Sequence, residues 1–245
     1  MRSVFALVVP ALLLPVLLLA AAVQAADLTV RQRTTTGGGR NAQTREETQY
    51  AHGDTLVIDG PDERTIVDVG ARTMTIADKH RKTYFVLTFD QMRAQADAVQ
   101  KKLQEMPSQE RGMMDQMLGN GAPVTLQPTG RKETIAGYEA TEYALRGGPF
   151  QGSVWTTEAL ALPEGVRKWR ELSASATAQQ GPGRQLAEAL AHAKGVPLRT
   201  TMTATIGPGT FSTSTEAVAV STAPPPPDVL VVPPGFTKTA PPPMP

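Results

Sequence analysis

The chain has 245 residues, with 24 Lys and Arg against 23 Asp and Glu, and no cysteine. This balance of charge, without a basic patch among aromatic residues, argues against a nucleic-acid partner and against an anionic membrane surface. The lack of cysteine excludes disulfides, thiolate metal sites and cysteine nucleophiles, so packing alone must stabilise the fold.

Residues 1–25 have the pattern of a cleavable export signal. A positive charge near the start precedes an apolar run over 4–23, and small residues follow where signal peptidase cuts. Pro10 and Pro15 interrupt the run, which disfavours a stable membrane-spanning helix. We therefore expect a periplasmic protein that begins at Ala26 and has no integral membrane segment. An uncleaved N-terminal anchor is the alternative.

Short strands dominate the chain after the signal. Leu28–Thr36 alternates apolar and polar residues before a run of three glycines, which predicts a strand and a hairpin turn. Further strands are predicted at 44–51, 54–59, 64–69, 72–76 and 82–87. Their spacing of about ten residues, with short turns between them, is typical of an antiparallel meander.

A helix begins where this meander ends. Thr88 and Gln91 have the spacing of a capping box, in which each side chain bonds the backbone amide of the other residue. Apolar residues then recur at helical spacing, which predicts an amphipathic helix. Pro107 interrupts it, and a second helical piece is predicted before the glycines at 119–121.

Methionines are concentrated in this helical region, and thioether side chains suit irregular apolar surfaces. One interpretation is ordinary core filling. The other is a ligand-adaptable lid over an apolar groove. The candidate groove or lid residues are Met92, Val99, Leu103, Met106, Met113, Met114 and Met117.

Strands return in the second half of the chain. They are predicted at 124–127, 133–135, 138–145, 151–156, 198–206 and 210–220, around a helical region with Val166, Trp169, Leu172 and Ala176 on one face. This helical region breaks at 180–183 and resumes. Residues 221–245 are rich in proline, which predicts an extended tail with one short ordered piece, a candidate strand, near 229–232.

An apolar sheet face needs a cover, and the helical regions are the available covers. The predicted fold class is therefore α+β: a curved antiparallel half-barrel sheet with helices on its concave face. Residues 26–220 are expected to form a single domain.

No catalytic residue, metal ligand set or cofactor motif is recognised. His52, His80 and His192 lack metal-site spacing, and each is interpreted as a surface or structural residue. The acidic turn around Asp59 and Asp62 lacks the alternation of a calcium loop. No nucleophile motif is present.

Several strings resemble a family of exported bacterial proteins that shares the half-barrel fold of the periplasmic lipoprotein carriers of the LolA and LolB type. They are Lys79-His80-Arg81-Lys82-Thr83-Tyr84, Thr134-Ile135-Ala136-Gly137-Tyr138-Glu139-Ala140, Val154-Trp155-Thr156, Gly195-Val196-Pro197-Leu198 and Val232-Pro233-Pro234-Gly235-Phe236. The resemblance implies a fold that holds acyl chains in an apolar concavity, and it transfers no binding residue to this chain.

Three functions remain open. The first is a periplasmic, non-catalytic binding or carrier protein for a lipid or other apolar ligand. The second is an envelope structural or interaction protein without a small ligand, in which the Pro-rich tail would contact an envelope partner. The third is an enzyme with a spatially assembled site, for which the sequence supplies no recognisable nucleophile or base.

Overall fold

The computed structural model describes residues 27–37, 42–110, 112, 123–177, 182–191, 193–206 and 209–241. The helices with assigned bounds are α1 (Phe89–Glu105), α2 (Glu164–Thr177) and α3 (Pro182–Ala191), and residues 108–110 and 112 are helical as well. The strands are β1 (Leu28–Thr36), β2 (Gln43–His52), β3 (Thr55–Asp59), β4 (Glu63–Asp68), β5 (Thr73–Asp78), β6 (Thr83–Thr88), β7 (Thr125–Ile135), β8 (Tyr138–Gly147), β9 (Phe150–Thr157), β10 (Val196–Ile206), β11 (Gly209–Ser221) and β12 (Thr237–Lys238). The predicted export signal lies outside the described residues.

All twelve strands belong to one open sheet in the order β12-β6-β5-β4-β3-β2-β1-β11-β10-β9-β8-β7. Neighbouring strands are antiparallel except for β12, which pairs parallel to β6. The two halves of the chain meet where β1 pairs with β11, with Val30 opposite Val220. A large, mostly antiparallel sheet is therefore confirmed, and its two edges are β12 and β7.

Helix α1 begins as the capping motif predicts. The Gln91 amide donates to Thr88 Oγ1 at 3.1 Å, and the Thr88 amide donates to Gln91 Oε1 at 2.9 Å. These two bonds satisfy amide groups that would otherwise lack a partner at the helix start. The helix ends with Met106 as its C-cap, directly before Pro107.

Strand β7 corrects one prediction. The sequence indicated two strands, at 124–127 and 133–135, whereas the structure has one strand from Thr125 to Ile135. Its pairing with β8 shifts register between Pro128 and Lys132. Proline has no amide to donate to the ladder, so the strand continues past an irregularity at this edge of the sheet.

The C-terminal tail corrects a second prediction, that of a short strand. The candidate strand near 229–232 is absent, and Pro227–Leu230 forms a 3-10 helix because proline fixes a helical φ at its start. The tail's strand is β12 instead: the Thr237 amide donates to the Lys82 carbonyl at 2.9 Å. Arg64 also holds the tail by donating to the carbonyl of Val231 at 3.2 Å.

The buried apolar residues of the described chain form two core clusters. The larger cluster contains strand residues such as Leu28, Ala51 and Leu198, and Val166 of α2 packs against it. The smaller cluster joins Val67, Val69 and Phe89 with Met92, Trp169 and Leu172 packed against it. Because Phe89 belongs to α1 and Trp169 to α2, this second cluster holds the two helices together.

Candidate ligand cavity

A cavity of about 440 Å³ lies between α2 and the sheet. Most of its lining is apolar. The sheet contributes Leu28, Val30, Ala51, Leu56, Val57, Ile58, Val67, Val196, Pro197 and Leu198, and the other wall contributes Leu162, Val166 and Trp169. A largely apolar cavity of this size falls within the range of small-molecule binding sites, about 300–1,000 Å³.

Strand and helix periodicity place these side chains. Leu28 and Val30 alternate with polar neighbours along β1 and are both buried, so this face of the strand points toward the cavity. Val166 and Trp169 are three residues apart on α2 and share one face of the helix. The sheet and the helix thus present apolar side chains to the same space.

The start of α2 is fixed against the turn between β2 and β3. The Lys168 ammonium lies 3.1 Å from the carboxylate of Asp54 in this turn. The pKa of Lys168 is raised, chiefly by its hydrogen bond to Asp54. Gly165 packs against the backbone of Gly53 and Asp54. These contacts set the distance between α2 and the sheet, and therefore the width of the cavity.

Polar groups also reach the cavity. Its polar lining comprises Gln32, Gln49, Thr200, Thr215, Arg170 and Arg199, together with Tyr50. Gln32 donates to Glu47 at 2.6 Å, and the hydroxyl of Thr215 lies 3.0 Å from that of Thr34. The cavity therefore combines an apolar lining with hydrogen-bonding groups, which is how binding sites orient a ligand.

The two arginines of the lining differ in environment. Arg199 donates to Glu133 at 2.8 Å and to Glu216 at 2.7 Å. These hydrogen bonds, the one to Glu133 first, raise the pKa of Arg199 above its ordinary value. Burial lowers the pKa of Arg170, which lies on α2 beside Trp169. Arg199 thus belongs to an ion-pair network with Glu133 and Glu216, and the guanidinium of Arg170 has lost part of its water through burial.

The residues predicted for a groove or lid occupy different environments. Met92 packs against the Phe89 cluster, whereas Val99 is 52% exposed. Met106 is half-buried at the end of α1. None of these three lines the cavity. The side chain of Leu103, and the whole of Met113, Met114 and Met117, lie outside the described residues.

Sequence reasoning placed Val166 and Trp169 on one face of a helix but did not assign them to a site. The available signal was their helical spacing beside a strand-rich region. That signal does not distinguish a filled core from a cavity wall, because both need an apolar face.

The histidines within the described part of the chain pair with carboxylates. His52 Nδ1 lies 2.8 Å from Asp27, and His80 Nε2 lies 2.7 Å from Asp62. His192 lies outside the described residues. Asp59, in the acidic turn, contacts Arg64 at 2.9 Å and Lys79 at 2.8 Å. Among the residues that the structure describes, no group of three His, Cys, Asp or Glu is arranged to hold a metal ion.

No known family model and no curated protein matches the sequence. Similar solved structures include an uncharacterized conserved protein from Thermus thermophilus, 8% identical, with a TM-score of 0.45 over 88% of this chain and 91% of that one. A LolA superfamily protein from Nitrosomonas europaea is also 8% identical, with a TM-score of 0.33 over 84% and 90% of the two chains. The structural neighbours therefore include the LolA superfamily.

The protein PNGF-II is another neighbour, 11% identical, with a TM-score of 0.40 over 88% of this chain. The match spans only 31% of PNGF-II. At such low identities and TM-scores these similarities do not indicate what the chain binds. None of the helices in the described ranges has the length and apolar character needed to cross a membrane.

Proposed function

We propose that this protein is a non-catalytic binding or carrier protein of the periplasm, which holds a lipid or other apolar ligand between α2 and the sheet. The observation that carries this proposal is the cavity of about 440 Å³ with its mostly apolar lining. Transfer of an alkyl chain from water into such a space is favourable by about 0.8 kcal/mol for each buried CH₂.

We further propose that helices cover the concave face of the sheet. Val166 and Trp169 of α2 lie over the cavity, and Phe89 of α1 contacts Trp169 with ring centroids 5.6 Å apart. A helix that is held by few contacts can move to admit a ligand more readily than a strand within the sheet. We therefore assign ligand entry to movement of the later part of α2 away from the sheet, while Gly165 and Lys168 hold its start at the β2–β3 turn.

We also propose that the protein is exported with cleavage after Ala25 and that residues 26–220 form a single domain. N-terminal sequencing of the protein from an envelope fraction should begin at Ala26. A chain that still begins at Met1 in the membrane pellet would contradict periplasmic export, without bearing on the cavity.

The binding function is tested by filling the cavity. Val166→Trp adds an indole at the cavity wall, so it should displace a bound lipid. The protein is purified from its own envelope and analysed by native mass spectrometry, followed by lipid extraction. We expect the wild type to carry lipid, and Val166→Trp to carry at least tenfold less.

Val231→Trp is the matched control, because Val231 is 54% exposed and does not line the cavity. It should carry as much lipid as the wild type. Equal lipid in the two tryptophan variants would contradict binding in this cavity. A wild type that carries no lipid and binds no apolar dye would contradict the proposed function and favour an interaction protein.

A further inference from the structure

A second cavity, of about 360 Å³, lies on the sheet at β7, β8 and β9. Among the described residues, none lines both this cavity and the apolar one. Its lining is polar, with side chains that include Lys132, Glu139, Thr141, Tyr143, Thr156 and Glu158. The volume lies near the lower end of the range of small-molecule sites, about 300–1,000 Å³. This polar cavity therefore suits a small polar ligand.

The register of the three strands directs these side chains to one face of the sheet. Lys132 pairs with Thr141 across β7 and β8, and Thr141 pairs with Thr156 across β8 and β9. Side chains of directly paired residues extend from the same face of an antiparallel sheet. Residues two apart on a strand also share a face, which adds Glu139 and Tyr143 of β8. The sheet thus brings hydroxyl and charged groups from three strands to one place.

Three hydroxyls of the polar cavity lack a partner in the protein. Within the ranges that the structure describes, the hydroxyls of Thr141, Tyr143 and Thr156 make no hydrogen bond. Thr156 is 3% exposed, and the other two residues are half-buried. A buried hydroxyl without a hydrogen bond costs free energy, and most such groups in proteins have a partner. A ligand hydroxyl would supply one, because each protein hydroxyl can both donate and accept.

The charges of the polar cavity disfavour an ion as its ligand. The ammonium of Lys132 lies 2.8 Å from the carboxylate of Glu139, which balances its charge. Glu158 adds a second carboxylate, so the lining has a net negative charge that repels an anion. A metal ion would lack ligands, since no group of three His, Cys, Asp or Glu is arranged for one in the described chain. A neutral ligand with several hydroxyls remains.

We infer that the polar cavity binds a neutral carbohydrate, with one sugar ring between β8 and the turn after β9. The hydroxyls of this ring bind the hydroxyls of Thr141 and Thr156 and the carboxylate of Glu158. Its C–H face lies against the aromatic ring of Tyr143, which offers an apolar surface beside a polar group. A free sugar and the end of a glycan present the same ring. This site is separate from the apolar cavity and does not rest on the proposed function.

The test is a titration of the isotope-labelled mature protein, followed by the NMR shifts of its backbone amides. The probes are glucose, galactose, mannose, N-acetylglucosamine and chitotriose. At least one should bind with a Kd of about 1–10 mM, as expected for a sugar ring of about a dozen non-hydrogen atoms. The amides of Thr141, Thr156 and Glu158 should shift. Cyclohexanol, a ring with one hydroxyl, should leave them unchanged. Tighter binding of chitotriose than of N-acetylglucosamine would assign the site to a glycan, and equal binding to a free sugar.

Three variants assign the binding to residues. Thr156→Val removes the hydroxyl and keeps the shape of the side chain, so it should weaken sugar binding at least about fivefold. The same variant should be as stable as the wild type or more stable, because no protein hydrogen bond is lost. Glu158→Gln removes a charged acceptor and should weaken binding about tenfold. Thr205→Val is the matched control, because Thr205 is exposed on β10 and does not line the polar cavity.

Several outcomes would overturn the inference. No shift with any of the sugars at about ten times the expected Kd would overturn the carbohydrate site. Shifts of the same amides with calcium chloride or sodium phosphate, but not with sugars, would overturn the ligand class. Unchanged sugar binding in Thr156→Val, or a loss of stability in that variant, would overturn the role of its hydroxyl. Lipid binding without sugar binding refutes this site and leaves the proposed function, and the reverse result refutes the proposed function alone.

Discussion

Gly165 faces the carbonyl oxygen of Gly53 so closely that a β-carbon at position 165 would lie 2.4 Å from this oxygen and overlap the backbone of the β2–β3 turn. Gly165 is the second residue of α2, and Gly53 has a positive φ of 55° in that turn. Helix and turn can approach this closely only because glycine has no β-carbon. This approach brings Val166 and Trp169 over the sheet.

The first prediction concerns this approach. Gly165→Ala should move the start of α2 away from the turn, because the Gly53 backbone cannot yield as a flexible side chain would. We expect a loss of about 1–3 kcal/mol in the free energy of unfolding, typical of overpacking, and altered fluorescence of Trp169. Urea unfolding monitored by fluorescence measures both.

Gly112→Ala is the control for Gly165→Ala, since the space around Gly112 is open and the residue is helical. It should leave stability unchanged or raise it by up to about 1 kcal/mol, because alanine favours a helix. Equal stability of the two variants would contradict the role of Gly165 in seating α2.

The second prediction concerns a buried carboxylate. The side chain of Glu142 is 4% exposed, yet it pairs with Arg131, which is 70% exposed. Burial by itself raises the pKa of Glu142, but hydrogen bonds from Thr129 and Arg131 and the charge of Arg131 outweigh it and hold the pKa below its ordinary value. Arg131→Met should lower the free energy of unfolding by about 1–3 kcal/mol at neutral pH, because the buried carboxylate keeps Thr129 but loses its cationic partner.

The sign of the pH dependence follows from the lowered pKa of Glu142. A lowered folded-state pKa stabilises the protein above the unfolded pKa of glutamate, about 4.3, and this contribution is lost as pH falls through the folded pKa. The gap in unfolding free energy between wild type and Arg131→Met should therefore narrow as pH falls below about 4. In a Glu142→Gln background, where residue 142 carries no charge, this gap should not narrow over the same pH range. A gap that widens toward low pH would contradict this.

The third prediction concerns the methionine-rich segment. If it gates the cavity, replacing Met113, Met114 and Met117 together with Ala should weaken apolar-dye binding and cost little stability. If it is core, each change should cost about 2–5 kcal/mol. Dye affinity and unfolding free energy are measured on the same variants. A large stability loss with unchanged dye binding would refute the lid.

The exposure of Val99 supplies an internal comparison for the methionines. Val99→Ala should change stability by less than about 0.5 kcal/mol, because the residue is 52% exposed. Met92→Ala should lower the free energy of unfolding by more than Val99→Ala does, since Met92 packs against the cluster that contains Phe89. Equal costs at the two positions would contradict the packing of this helix.

The fourth prediction concerns cooperativity. The sheet is continuous from β6 to β7, and the two halves of the chain meet at the β1–β11 pairing. We therefore expect one thermal transition for residues 26–220, with fluorescence and circular dichroism changing together. Two resolved transitions, or an isolated fragment ending near residue 121 that folds, would contradict a single domain.

Local rules predicted much of the secondary structure. The capping box of Thr88 and Gln91 is a contact between residues three apart, so the sequence alone determines it. Alternation along β1 determined which residues are buried there, because successive side chains of a strand point to opposite faces. The same rules were insufficient at Pro128. The composition there predicts a break between two strands, whereas the pairing with β8 continues one strand through an irregularity.

The sequence by itself determined the balanced charge, the lack of cysteine, the strand-rich pattern and the helical face that includes Val166 and Trp169. Only the tertiary structure decided that this face lies over Leu28 and Leu198 with space left between them. It also decided that Arg170 lines that space while Arg199 is held by Glu133. The physical reason is that packing depends on contacts between residues more than a hundred positions apart, such as Lys168 with Asp54, and no local periodicity encodes the distance between a helix and a sheet.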